Sequence, residues 1–186
     1  MMDNSNISDA VGAGIGKSSG MGDTTKIAGV YVAECYGPDG ELKWKDTIHN
    51  LVTTAGKNDM LDKHLAGSTY TAAWYMGLIG SASYTTGAAV GDTMSSHAGW
   101  AEDQQYSQAS RPTCAFSSAS AGSKALSSAL TFSINANTTI KGAFINSVAT
   151  KGGTTGILFS AGLFTGGDKA VSSGDTLSVS YTASLT

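Results

Sequence analysis

The chain has few charged residues, few prolines, only two cysteines and no long apolar run. Charged residues make up 13% of its 186 residues, about half of the ~25% usual for soluble domains. The net charge is −3 and no cluster of lysine or arginine occurs, so we predict no nucleic-acid partner. No apolar run approaches the ~20 residues that cross a bilayer, so we predict no membrane partner. The N-terminus has neither the basic start nor the apolar centre of a secretory signal, which predicts folding in a cytoplasm.

The residues that usually hold metals are scattered. Cys35 and Cys114 are the only cysteines, and without a secretory signal we predict buried thiols in preference to a disulfide. The three histidines, His49, His64 and His97, have no cysteine or carboxylate at ligand spacing. We therefore predict no metal site and no cofactor.

Glycine, serine and threonine separate short segments of alternating polarity. Residues 176–185, TLSVSYTASL, alternate strictly, as expected for a strand with one buried and one wet face. Residues 26–36 and 42–52 flank the turn sequence GPDGE and predict a β-hairpin. Residues 72–80, AAWYMGLIG, predict a strand buried on both faces. With further strands in LSSALTFSI, TIKGAFINSV and GILFSAGLF, we predict an all-β, antiparallel two-sheet sandwich or jelly roll.

The pattern predicts two regions. Residues 1–25 are polar, glycine-rich and aperiodic, and we predict a flexible N-terminal arm. Residues 26–186 form a single β-sandwich domain. One short α-helix is predicted near residues 54–66, with a threonine N-cap and a glycine C-cap. Residues 81–112 show no clear period, and a loop of that length is usually functional or an interaction surface.

The helix prediction depends on particular residues. Thr53 or Thr54 can cap its N-terminus, and Gly67 can end it. Leu61 and Leu65 are four residues apart and share one face of the helix.

The arm contains part of a phosphate-binding motif. Gly16, Lys17 and Ser18 match the end of the Walker pattern, but Val11 stands where its first glycine is required. The preceding residues are polar and aperiodic, whereas a phosphate loop follows a buried strand. We therefore predict an arm and not a nucleotide site.

The tripeptide Gly-Asp-Thr occurs at residues 22–24, 91–93 and 174–176. We interpret it as a turn that starts a strand, because aspartate can bond its own backbone and threonine favours strands. A calcium loop, the alternative, needs more oxygen ligands than one aspartate per turn.

The sequence has little that could catalyse a reaction. No Gly-x-Ser-x-Gly elbow follows a strand. Glu102 and Asp103, in the long loop, are the best candidates for paired acids. Trp44 and Trp74 are predicted to be core residues, whereas Trp100 could be exposed and contact a partner or ligand. We predict no catalytic residues and no enzyme.

Three segments carry a resemblance to a known group. They are DGELKWKDTIHNLVTTAGKNDMLD (residues 39–62), WYMGLI and the C-terminal SSGDTLSVSYTASL. This chain resembles small virion proteins of tailed bacteriophages, in which a G-x-L-K-W hairpin, an HNLVTTxGKNxxLD segment and a GDTLxVxYT ending recur. The resemblance covers residues 26–186 and brings no catalytic motif. It implies an accessory structural protein of the particle, either a cement or decoration protein on the head or a fibre or collar component near the tail.

From that resemblance we expect a homo-oligomeric cement or decoration protein in the virion, assembled in the bacterial host cytoplasm. Its partners would be the major capsid protein, other virion proteins and neighbouring copies. The arm, the long loop and an exposed sheet edge would supply the contacts, and the candidate contact residues are Ile7, Val11, Ile15, Lys17, Met21, Tyr84, Trp100 and Tyr106. The alternative is a fibre or collar module that binds a receptor or a glycan.

Overall fold

The computed structural model describes residues 25–65, 67, 69 and 73–186. All but the last residue of the predicted arm therefore lie outside the described residues. The elements are, in chain order, β1 (Ile27–Tyr36), β2 (Leu42–His49), β3 (Leu51–Val52), α1 (Thr54–Leu65), β4 (Tyr75–Gly80), β5 (Glu102–Asp103), β6 (Ser123–Ala125), β7 (Leu130–Ser133), β8 (Thr138–Asn146), β9 (Leu158–Leu163), β10 (Lys169–Val171) and β11 (Thr176–Leu185).

The strands form two antiparallel sheets, which confirms the predicted all-β, two-sheet sandwich. Sheet A has the order β2-β1-β11, and β6 and β7 both pair with the other side of β11. Sheet B has the order β3-β9-β8-β4-β5, and β10 pairs with β8 beside β9. The predicted hairpin is β1 and β2. The longest pairing joins β1 to β11, from Ile27 opposite Leu185 to Tyr36 opposite Thr176.

The main core lies between the two sheets. In β11 the apolar residues Leu177, Val179 and Tyr181 are buried, as the alternating pattern predicts. The Tyr181 hydroxyl accepts a hydrogen bond from the Asn50 side-chain amide at 3.0 Å. The core tyrosines therefore keep polar partners inside an apolar layer, which offsets the cost of burying a hydroxyl.

A second apolar cluster covers the outer face of sheet B. Ile79 on β4 and Phe144 on β8 pack there with Met94 and Trp100 from the segment that follows β4. Strand β4 is thus buried on both faces from Met76 onward, which confirms the prediction for its apolar run.

Helix α1 confirms the predicted helix and both its ends. The Gly56 N–H donates to the Thr53 hydroxyl at 3.0 Å, an N-cap bond, and Gly67 has φ +64°, as a helix-ending glycine requires. Leu61 and Leu65, however, are 56% and 77% exposed. Their shared face therefore points away from the core. The helix packs instead through Gly56, where a Cβ would approach the Phe159 carbonyl oxygen on β9.

Both cysteines are buried and free, which confirms the prediction of buried thiols. Burial raises the pKa of Cys35 to about 11 and that of Cys114 to about 12. Both thiols are therefore protonated at neutral pH and poorly nucleophilic.

Candidate functional site: the outer face of sheet A

The outward side chains of β1 and β11 share one face of sheet A, which we call the hydroxyl face. On β11 they are Ser178, Ser180 and Thr182, and on β1 they include Val30 and Val32. The register places Val30 opposite Thr182 and Val32 opposite Ser180. None of these five side chains is fully buried, and Thr182 is exposed. The outer face of sheet B, by contrast, is covered by the segment that carries Trp100.

The hydroxyl face carries little net charge. Glu34 and Lys45 form an ion pair across β1 and β2 at 2.7 Å, and the Tyr36 hydroxyl donates to the other Glu34 oxygen at 2.6 Å. The hydrogen bonds from Lys45 and then Tyr36 lower the pKa of Glu34. The two charges compensate each other, so the surface offers hydroxyl groups and valine methyl groups to a partner. Such a surface suits a protein partner without strong charge.

The described chain begins at one end of this face. Lys26 donates its backbone N–H to the Thr186 carbonyl at 2.6 Å and accepts the Thr186 N–H at 3.0 Å. The described chain therefore enters the sandwich beside the last residues of β11, and the preceding segment is residues 1–24. Five predicted contact residues belong to that segment and lie outside the described residues: Ile7, Val11, Ile15, Lys17 and Met21.

The exposure predicted for Trp100 is wrong. Its side chain is 3% exposed, its indole N–H donates to Asp92 at 2.9 Å, and His97 stacks on it at 4.1 Å. Its ring also contacts Phe144 at 5.3 Å. The reason is that Phe144 and Ile79 make the outer face of sheet B apolar, so the long segment folds over it and places its tryptophan inside.

Tyr106 is also buried, with 0% of its surface exposed. It packs edge-on against Phe132 at 5.1 Å, and burial raises its pKa well above the usual tyrosine value. It cannot meet a partner while the sandwich is folded. Tyr84 is half-buried, with the Lys141 ammonium 4.2 Å from its ring, and its contact role stays a prediction.

The candidate acids hold the long segment in place. Glu102 accepts hydrogen bonds from the Arg111 guanidinium through both oxygens, at 2.9 and 2.8 Å. Asp103 accepts from the Gln105 N–H at 2.9 Å and from the Thr138 hydroxyl at 2.6 Å. A pocket of about 190 Å³ lies beside Glu102. Through these hydrogen bonds Glu102 and Asp103 hold the long segment in place against the rest of the sandwich.

Sequence reasoning missed Arg111. One feature of the sequence could have pointed to Arg111: it is the single arginine among eleven basic residues in a chain of low charge. Arginine forms two parallel bonds to a carboxylate, which lysine cannot do. A lone arginine is therefore a candidate for a buried pair.

The Gly-Asp-Thr tripeptide forms turns where it is described. At residues 174–176 the Asp175 carboxylate accepts the Ser172 N–H at 2.8 Å, and β11 starts at Thr176. At residues 91–93 the turn forms, since Asp92 accepts the Ala89 N–H at 2.9 Å, but no named strand follows directly. Residues 22–24 lie outside the described part of the chain.

Two features are absent from the described residues. These residues contain no group of three or more histidine, cysteine, aspartate or glutamate side chains that could hold a metal ion. No helix among them has the length and apolarity to cross a membrane.

Compared with protein-family models and with curated protein sequences, the chain matches none.

Proposed function

We propose that this chain is a structural protein of a tailed-phage particle, a cement or decoration protein that stabilises the head. It binds the major capsid protein and neighbouring copies of itself. The observation that carries the proposal is the hydroxyl face, whose side chains are half-buried or exposed and whose Glu34 and Lys45 charges compensate each other. The three segments that resemble small virion proteins of tailed bacteriophages support placing the protein in a phage particle.

The size of the hydroxyl face suits repeated weak contacts. Strands β1 and β11 have ten residues each, so the face measures roughly 33 Å by 10 Å, or about 300 Å², from standard strand spacings. A stable interface buries about 800 Å² per partner. The face alone is therefore too small for tight binding. Many copies on one lattice would strengthen it by avidity, and the arm would add contact area.

The test is binding to particles that lack the subunit. Ser180→Glu and Thr182→Glu place a carboxylate in the middle of the hydroxyl face, where a bound partner would bury it without a counter-charge. We expect each to weaken cosedimentation with such particles by about tenfold or more. Ser81→Glu, at an exposed site directly after β4, is the matched control. Binding of both face variants at the parent level would contradict the proposal.

Two further measurements bear on the proposal. Quantitative mass spectrometry of purified particles should show this protein at high copy number for a cement protein and at low copy number for a fibre. A variant without residues 1–25 should be incorporated less well, because the arm would contribute part of the contact area.

In the fibre or collar alternative, Trp100 was the candidate residue for contact with a glycan. Trp100 is buried, so it offers no aromatic platform to a sugar. Glycan-array binding by the isolated subunit would support that alternative instead.

A further inference from the structure

Helix α1 has its apolar and charged sides reversed with respect to the core. Leu61 and Leu65 are 56% and 77% exposed. On the opposite side of the helix Lys63 and Asp59 form an ion pair at 3.3 Å, and their side chains are only 21% and 8% exposed. A surface helix usually turns its apolar stripe toward the core and its charges toward water. The reversal indicates that the outward side of α1 meets a second apolar surface.

The exposed residues of α1 follow the heptad pattern of paired helices. With Leu61 at position d and Leu65 at the next position a, Thr54 and Asn58 take the preceding d and a positions. All four are exposed and form a continuous stripe, which we call the α1 seam, along the roughly 18 Å of the helix. The Thr54 N–H donates to the Val90 carbonyl at 2.8 Å. Val90, which is 48% exposed, therefore adds a third exposed apolar side chain beside the start of the seam.

Charged residues of opposite sign flank the α1 seam. Lys57 and His64 take g positions on one side, Asp62 takes the e position on the other, and all three are exposed. Among the described residues neither Lys57 nor Asp62 forms an ion pair. In a parallel helix pair a g residue lies beside the e residue five positions later in the partner, so Lys57 would face Asp62 of a second copy. In an antiparallel pair about a two-fold axis the basic flanks of both helices would adjoin, so charge favours the parallel pair.

We propose that the α1 seam binds the α1 seam of a second copy of this chain, so that two helices lie parallel about a two-fold axis. Leu61 and Leu65 pack against their counterparts, and Lys57 of each copy pairs with Asp62 of the other. Asn58 meets the Asn58 of the second copy. An asparagine at a single a position fixes the register and the number of helices in such a pair, at some cost in stability.

The contact is weak between isolated subunits. A helix face about 18 Å long and 10 Å wide offers roughly 200 Å², whereas a stable interface buries about 800 Å² per partner. The dimer should therefore form only at high protein concentration, and many copies on one particle would strengthen it by avidity. The inference deepens the proposed function by naming a contact between neighbouring copies. Its tests use the isolated subunit and need no particle.

Sedimentation velocity of the full chain, from about 10 μM to about 1 mM, measures the dimer. The parent should shift from monomer toward dimer across this range. Leu61→Glu should stay monomeric throughout, because the pair would bury two unpaired carboxylates. Leu42→Glu is the matched control, since Leu42 is 53% exposed on β2, away from the helix, and it should dimerise like the parent. Thermal unfolding confirms that each variant is folded.

Charge reversal tests the parallel orientation. Lys57→Glu and Asp62→Lys each place like charges together on both sides of a parallel pair, and each should weaken the dimer about fivefold or more. The double variant, Lys57→Glu with Asp62→Lys, restores opposite charges and should recover the parent affinity. A structural defect in either single variant would not be repaired in this way.

Disulfide formation tests the register. A parallel pair brings position 58 of the two copies together, so Asn58→Cys should form an intermolecular disulfide about tenfold faster than Ser81→Cys, a cysteine at an exposed site outside the helix. Cys35 and Cys114 are buried, so the parent chain should form no such crosslink.

Several outcomes overturn the inference. A parent chain that stays monomeric up to about 1 mM shows that the α1 seam does not bind itself. A dimer that survives Leu61→Glu shows that the copies meet through another surface. Crosslinking of Asn58→Cys at the Ser81→Cys rate, or a double charge variant that stays weak, rules out the parallel pair. Failure of the particle-binding assay with an intact dimer would remove the proposed function and leave this inference standing, so the two failures are distinguishable.

Discussion

Replacing Arg111 by methionine should be among the most destabilising single substitutions in this sandwich. Arg111 is 1% exposed, and its guanidinium donates two hydrogen bonds to Glu102. It also donates to the carbonyl oxygens of Val148 and Gly153, both at 2.8 Å, and lies 5.1 Å from the centre of the Phe144 ring. Methionine fills much of the same space without a donor, so a buried carboxylate and two carbonyl groups lose a partner.

The size of the effect follows from these contacts. Removing one partner of a buried ion pair costs about 3–5 kcal/mol. Glu102 keeps hydrogen bonds from the Gly152 N–H at 2.6 Å and the Tyr106 hydroxyl at 3.3 Å. We therefore expect a loss near the lower end, about 3 kcal/mol in the free energy of unfolding. For a domain of this size, each kcal/mol lowers Tm by about 2–4 °C, which gives a fall of roughly 6–12 °C.

Urea and thermal unfolding of a double-mutant cycle provide the assay. Arg111→Met, Glu102→Gln and the double variant are compared with the parent, and the double variant should lose clearly less than the sum of the single losses. Lys45→Met is the control, because the Lys45 side chain is 57% exposed in its pair with Glu34, and it should leave the unfolding midpoint almost unchanged. The reasoning is refuted if Arg111→Met unfolds like the parent or if the two single losses simply add.

Gly142→Ala should lower the free energy of unfolding in urea by about 1–3 kcal/mol, because a Cβ there would collide with the backbone of β9. Gly91→Ala, with open space around it, should not lower it. Equal losses in the two variants would contradict the close packing of β8 on β9 at Gly142. Burial raises the pKa of Cys114 to about 12, so neither thiol of the native protein should react with iodoacetamide at neutral pH, and both should react in denaturant; mass spectrometry of the native sample would reveal any exception. Lys43→Met should make the protein unfold at higher pH during acid titration, followed by tryptophan fluorescence. Burial alone would raise the pKa of Asp175, but the bonds from Lys43 and a backbone N–H outweigh it and lower the pKa. The stability that Asp175 contributes is therefore present above the ordinary aspartate pKa, about 3.9, and is lost as the pH falls through the folded value. If the midpoint pH of acid unfolding is unchanged in Lys43→Met, Lys43 does not contribute to the stability that depends on Asp175.

Local patterns in the chain were enough to predict the hairpin, the helix ends and the last strand. The alternation in β11 repeats every two residues, and the turn after β1 needs only the chemistry of its own residues. The N-cap bond from Gly56 to Thr53 joins residues three apart. Such features depend on neighbours in the chain, so they can be predicted before the fold is known.

Burial of particular side chains depended on the assembled sheets. Trp100 and Leu61 are both large and apolar, yet Trp100 is 3% exposed and Leu61 is 56% exposed. Nothing near either residue in the chain tells them apart, because the difference lies in whether a distant strand presents an apolar face to them. The same holds for Arg111, whose bonds reach residues 9, 37 and 42 positions away. Whether sheet A keeps an open outer face is also a tertiary property, since it depends on where the rest of the chain packs.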